Sequence, residues 1–236
     1  MTRELVIEGP GKNALGTATM GRILEQLEAA AGAPVLLTGA GDAFSAGLDL
    51  REVATLDASR GESFLRLLER CMSALYLYPG PIVAAVNGHA IAGGCIVALC
   101  CDYRVATVSP GVKIGMNEVP LGLRFPPRTL SIVRARVPRQ HRDRVVLGGR
   151  LFAPSEALRA GLVDEVDADP VTVARARLEE LAVSPGRAYA QAKADLRGAS
   201  EQALASDDAV ERWLRESLAS WTSPELKSKI AAVLRR

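Results

Sequence analysis

The chain of 236 residues is short of aromatics, lysine, histidine and cysteine. Phe, Trp and Tyr together make up 4% of it, against 48% hydrophobic residues, so the core has to be built from Ala, Leu, Val and Ile. Lysine occurs only at 12, 113, 193, 227 and 229, arginine supplies most of the positive charge, and the net charge is +2. So small a balance argues against a protein held to nucleic acid by electrostatics. His89 and His141 are the only histidines, which leaves few bases for a serine or cysteine nucleophile. The four cysteines, Cys71, Cys95, Cys100 and Cys101, show no CxxC spacing and sit in apolar runs. They read as reduced, buried thiols, and no metal site is expected. No apolar run approaches a membrane span, and MTRELVIEG carries no signal-peptide hydrophobic region. A cytoplasmic protein without membrane or nucleic-acid partners is the expectation.

What is present is a pair of glycine-containing loops: TGAGDAFSAGLDL (38–50) and NGHAIAGGCIVALCCD (87–102). Each follows a short apolar run, PVLLT (34–38) or IVAAV (82–86), that reads as a buried strand. Further strands are expected at 4–8, 103–107, 112–114 and 162–166. Helices are expected over 15–31 and from a Ser59/Glu62 capping box to about Tyr76. Beyond about residue 126 helices dominate, at 138–147, 154–160, 170–182, 186–197, 200–221 and 224–235. Strands alternating with helices predict an α/β core, here 1–180, followed by a helical region, 181–236.

The first loop is not a dinucleotide fingerprint, because Phe44 stands where a third glycine is needed. It is not a nucleophile elbow either, since Ala43 stands where G-x-S-x-G requires glycine before Ser45. What remains is a sharp turn at Ser45–Ala46–Gly47 that exposes backbone N–H groups, or an ordinary strand-to-helix connection. In the second loop, Gly93–Gly94 precede an apolar helix whose N-terminus offers free N–H groups and the positive end of its dipole. The alternative is close packing that needs small residues. Two such loops in tandem, each on a buried strand, favour the functional reading: two N–H groups aimed at one oxyanion. A third element, IGMNEVPLGL (114–123), holds Glu118 among apolar residues. Glu118 is either a solvated loop carboxylate or a desolvated one with its pKa raised into the range of a general base.

At these residues the chain resembles the crotonase superfamily, the enoyl-CoA hydratases and isomerases. The resemblance runs from PGKNAL (10–15) through GAGDAFSAGLDL, PIVAAVNGHAIAGG, CDYRVAT and IGMNEVPLGL to APSEALRAGLVDEV (153–166). It continues into SPELKSKIAAVL in the last helix. It implies a spiral of ββα units, a C-terminal helical region serving trimers or dimers of trimers, and an acyl-CoA thioester substrate that itself brings the coenzyme A, with no other cofactor. It implies that the N–H groups of Ala46 and Gly93 form the oxyanion hole, and that Glu118 is the catalytic carboxylate. Ser45, Ala46, Gly47, Leu48, Asp49 and Leu50 are expected against the substrate, as are Gly94 and Ile96. Lys227 and Lys229 are candidates for the CoA phosphates.

The chain also departs from the family pattern. Typical hydratases carry two glutamates, and the first falls here on Ile96. CDYRVAT followed by IGMNEVPLG looks like the 3,2-enoyl-CoA isomerase branch, which works with one glutamate at the position of Glu118. The resemblance thus implies isomerisation of a 3-enoyl thioester. Hydration, another thioester-enolate reaction such as decarboxylation or hydrolysis, and acyl-CoA binding without turnover are the alternatives. RFPP (124–127) replaces a glycine-rich turn that borders the acyl pocket in hydratases. Members usually begin with a further strand ahead of the one matching LVIEG, so either a shorter sheet edge or a natural start ahead of Met1 is expected.

Overall fold

The structure is a computed structural model and describes residues 1–198 and 204–235. Among them are nine strands: β1 (Arg3–Ile7), β2 (Val35–Gly39), β3 (Ala43–Ser45), β4 (Ile82–Val86), β5 (His89–Ile91), β6 (Tyr103–Thr107), β7 (Ile114–Gly115), β8 (Leu151–Phe152) and β9 (Glu165–Asp167). The helices are α1 (Pro10–Asn13), α2 (Thr17–Ala30), α3 (Leu50–Thr55), α4 (Ala58–Tyr76), α5 (Gly93–Cys100), α6 (Glu118–Leu121), α7 (Pro127–Arg136), α8 (Pro154–Arg159), α9 (Pro170–Ala182), α10 (Gly186–Gly198), α11 (Asp207–Trp221) and α12 (Pro224–Leu234). None of them is long and apolar enough to cross a membrane.

The apolar runs form a parallel five-stranded sheet in the order β1-β2-β4-β6-β9, with β1 at one edge. Both faces of its centre are buried, which is why these strands read as unbroken apolar runs. Val35 and Leu37 of β2 point into the main core, and Leu36 points to the other side. There Leu36, Val83, Ala85 and Val105 pack on Ala174 and Leu178 of α9. A second, smaller sheet stacks the loop strands in the order β3-β5-β7-β8. β3 and β5 pair in parallel, as do β5 and β7, so consecutive βα units place their loops side by side.

Several expectations are corrected. Helix α4 is capped by Asp57, whose carboxylate accepts from Arg60 N–H at 2.9 Å; Ser59 lies inside the first turn. Residues 138–147 form no α-helix but a 3-10 turn (Arg139–His141) and a π turn (Asp143–Leu147), because PRQHRDRVVL has no apolar stripe to bury. Of VKI (112–114), only Ile114 pairs. Of LVDEV (162–166), only Glu165 and Val166 do. The helix expected from 200 begins at Asp207, and the part of that reading at 200–203 lies outside the described residues.

A buried ion cluster ties α10 to the core. Lys193 donates to Asp102 Oδ2 at 2.8 Å and to the Gly80 carbonyl at 2.9 Å. Arg197 donates to Asp102 Oδ1 at 2.6 Å and to the carbonyls of Tyr76 and Cys100. Desolvation pulls the Lys193 pKa down to about 8, with the Asp102 charge opposing it. Removing one partner of such a cluster leaves buried charge and carbonyls unmatched. Arg197→Met is therefore expected to cost about 3–5 kcal/mol. Urea unfolding checks this, and an unchanged midpoint would show the cluster to be dispensable.

Candidate active site

The first loop is shaped by two asparagines that sequence reasoning did not single out. Asn13 is 4% exposed and has φ 56°. Its amide donates to the carbonyls of Ala40 (2.8 Å) and Ala43 (2.7 Å). Asn87 donates to the carbonyls of Gly39 and Gly41, both at 2.9 Å, and accepts from Gly39 N–H. The available signal was their place: Asn13 stands in the Gly/Pro-marked turn before α2 and Asn87 directly follows the IVAAV run, turn contexts where Asn amides bond backbone. Asp49 ends the loop as the N-cap of α3, accepting from the N–H groups of Arg51 and Glu52. The Asp49 carboxylate thus has a structural task.

The second loop leaves β4 at Asn87, runs through β5 and reaches Ala92, whose φ of 51° and ψ of −122° are strained for a residue with a Cβ. Ala92 N–H donates to Gly115 O at 2.8 Å, which anchors this strained cap to β7. Helix α5 then starts at Gly93. No acceptor among the described residues meets the Gly93 N–H. The two loops touch at glycines. A Cβ on Gly47, where φ is +88°, would stand 2.6 Å from the Ile91 carbonyl and 3.2 Å from Gly93 N. A Cβ on Gly94 would stand 2.3 Å from the Ser45 carbonyl.

The Ala46 N–H is not open, as the sequence reading expected it to be. It donates to the Lys12 carbonyl at 2.8 Å. That carbonyl belongs to an irregular stretch, with Gly11 at φ 60°, ψ −115° and Lys12 at φ −102°, ψ 60°. Asn13, with its positive φ, comes next. A chain carbonyl therefore sits on one of the two N–H groups expected to hold a thioester oxygen.

Glu118 opens the short helix α6, which Gly122 closes in the left-handed conformation at φ 82°. The side chain is 7% exposed, and its Oε2 has no hydrogen-bond partner. Desolvation pushes its pKa up to about 7; the N–H groups of Glu118 and Asn117 pull in the other direction. Of the two sequence readings of Glu118, the structure has the desolvated carboxylate.

Glu118 lies between two spaces. One is a cavity of about 430 Å³ whose wall includes Ala46, Leu48, Asp49, Leu50 and Glu118. The other, of about 20 Å³, is walled by Leu48, Gly93, Ile96 and Glu118 on the loop side. Three of the candidates, Ser45, Gly47 and Gly94, line neither space. Ser45 is fully buried, donating to the Asn13 carbonyl at 2.8 Å and accepting from Gly47 N–H at 3.2 Å. Gly47 and Gly94 serve the loop-to-loop contact. Lys227 and Lys229 are absent from both walls as well, and the cations on the larger cavity are Lys12 and Arg51. Asn117 also lines it, with a buried Oδ1 that has no partner. Lys12 lies within PGKNAL and Arg51 directly follows GAGDAFSAGLDL, but neither was singled out, because surface cations carry no period. All four cysteines are free and buried, and burial pushes Cys71, Cys95 and Cys101 up to about 12.

A family profile described as enoyl-CoA hydratase/isomerase matches residues 4–230. The chain belongs to the enoyl-CoA hydratase/isomerase family. Enoyl-CoA delta isomerase 1 of mouse mitochondria is 37% identical over 134 residues, 57% of this chain. That match spans 46% of the mouse protein, so the chain covers about half the length of this relative. A probable enoyl-CoA hydratase, EchA17 of Mycobacterium tuberculosis, is 34% identical over 183 residues, 76% of this chain and 69% of that protein. Among solved structures, the human mitochondrial delta3-delta2-enoyl-CoA isomerase superposes with a TM-score of 0.88 at 25% identity. It covers 100% of this chain and 93% of that one. The fold is thus that of the hydratase/isomerase, or crotonase, family, as the order of the motifs led one to expect.

Proposed function

We propose that the protein is an enoyl-CoA isomerase that moves the double bond of a 3-enoyl-CoA to the 2-position. The observation that carries this reading is a single buried carboxylate, Glu118, facing both spaces, with Ile96 where a second acid would sit. In this reading the thioester oxygen displaces the Lys12 carbonyl from Ala46 N–H and also accepts from Gly93 N–H. Those two bonds stabilise the dienolate as charge moves onto the oxygen. Glu118 takes one proton from C2; the C2–H electron pair becomes the C1–C2 π bond of the dienolate as the carbonyl π pair moves onto the oxygen. The same carboxyl then returns the proton to C4, and the double bond settles between C2 and C3. One base suffices because no water is added. The names of the mouse and human relatives support this choice.

The name of the mycobacterial relative favours a second reading, hydration of a 2-enoyl-CoA with Glu118 alone. Supplying 3-hexenoyl-CoA and 2-hexenoyl-CoA in parallel separates the two. Conversion of the first without hydration of the second is expected. Hydration of the second without conversion of the first would replace the proposal, and binding of both without turnover would make the chain an acyl-CoA binder. Assembly as a trimer, or a pair of trimers, belongs to the same proposal, and light scattering tests it.

The pH profile follows from the burial of Glu118. A base must be ionised, so kcat/KM is expected to rise with pH and level off above about 7, where Glu118 loses its proton. A profile already flat from pH 5 upward would show that a carboxylate with an ordinary pKa does the work.

A further inference from the structure

Resting on the isomerase reading, the geometry points to the length of acyl chain the site takes. The larger cavity, with Lys12 and Arg51 on its wall, suits the polar CoA arm. Ala46 lines that cavity and Gly93 lines the smaller one, so a thioester oxygen held by both stands at their junction. Glu118 walls both spaces, which sets C2 to C4 alongside it. Carbons beyond C4 then enter the smaller space.

That space is small and lined by apolar surface. Its volume is about 20 Å³, and its far wall is Leu68, Met72, Phe125, Pro126 and Trp221, with Arg124 and Thr129 beside them. Such a volume admits a stub of about one or two carbons. The wall is part of the core rather than a loose flap. Met72 has no exposure, Leu68 and Trp221 have 3% and Phe125 has 7%. Trp221 ends α11 and meets Trp213 edge-to-face, ring centroids 6.3 Å apart at 68°. Phe125 precedes the Pro126–Pro127 pair that starts α7. We propose that Trp221 and Phe125 close the acyl end and select short-chain 3-enoyl-CoA thioesters, with acyl groups of about four to six carbons.

The test compares 3-hexenoyl-CoA with 3-decenoyl-CoA on the wild type and on Trp221→Ala. The wild type is expected to favour hexenoyl by about tenfold or more in kcat/KM, and Trp221→Ala to level or reverse that ratio. An open channel would instead gain about fourfold for each added methylene. A wild type that prefers decenoyl would overturn the proposal, as would an unchanged ratio in a folded Trp221→Ala. Should that variant fail to fold, calorimetry on the wild type with hexanoyl-CoA and decanoyl-CoA decides. Tighter hexanoyl binding supports the closed end, and tighter decanoyl binding overturns it. If neither 3-enoyl thioester is isomerised while hexanoyl-CoA binds the tighter, the isomerase reading falls and the closed pocket stands.

Discussion

Glu118→Gln is expected to lower kcat for isomerisation by about 10²–10⁴-fold, the range supplied by a positioned general base. Acyl-CoA affinity should stay within a few-fold, because the amide keeps the shape of the side chain. The same substitution is expected to raise stability at alkaline pH. The folded-state pKa of Glu118 lies at about 7, above its ordinary 4.5. Between those values the folded state keeps a proton that the unfolded state has released. The contribution of the group is therefore largest below about 4.5 and is lost as pH rises through about 7. At pH 8 the cost of ionised Glu118 is on the order of 3 kcal/mol, from 1.36 kcal/mol per pH unit. Glutamine escapes that cost. Unfolding midpoints of the two proteins should differ at pH 8 and converge near pH 4.5. A variant that keeps full activity would remove Glu118 as the base. One that is inactive but no more stable at pH 8 would show the carboxylate to be better solvated than its burial implies.

Gly94→Ala carries the second large effect. The added methyl would stand 2.3 Å from the Ser45 carbonyl oxygen and 2.8 Å from Ser45 Cβ, so backbone, not a flexible side-chain tip, is in the way. Relief requires the two loops to separate, which moves Gly93 N–H away from Ala46. Loss of one oxyanion donor costs about 10²–10³ in kcat in enzymes that stabilise an oxyanion. A fall of that size in kcat/KM is expected, with a stability loss of about 1–3 kcal/mol from overpacking. The control is Gly186→Ala, at a position where an added methyl meets nothing within 4 Å. It should match the wild type in both respects. Gly94→Ala at wild-type activity would show that the contact of the loops does not set the oxyanion site.

How much of this was legible in the sequence depended on the range of the interactions. PVLLT and IVAAV announced buried strands because a central parallel strand is apolar on both faces. Helix α9 falls on its expected bounds, 170–182, with Pro170 at its start and Asp169 capping it through Thr172 N–H. Strands β3, β5 and β8 are three residues or fewer. No periodicity develops over so short a run, and they exist only through their pairing in the second sheet.

The site shows the same division. The motifs marked Ala46, Gly93 and Glu118, and the fold brings their loops together. The resemblance also implied Ser45 as a substrate contact; in the structure its hydroxyl holds Asn13 and Gly47 in place. The Lys12 carbonyl on Ala46 N–H had no sequence signal, since any residue supplies a carbonyl. Composition left the burial of Glu118 open, and packing decided it.

The central claim is that one carboxylate carries one proton from C2 to C4. 3-Hexenoyl-CoA deuterated at both C2 positions, turned over in ordinary water, tests it most directly. Glu118 is buried and its Oε2 has no partner, so the deuteron it takes should be delivered to C4 before it exchanges. The account expects a 2-hexenoyl-CoA that keeps one deuteron at C2 and has gained one at C4 in a substantial fraction of the product. A product with only solvent hydrogen at C4 would contradict it, placing the return of the proton on water or on another acid.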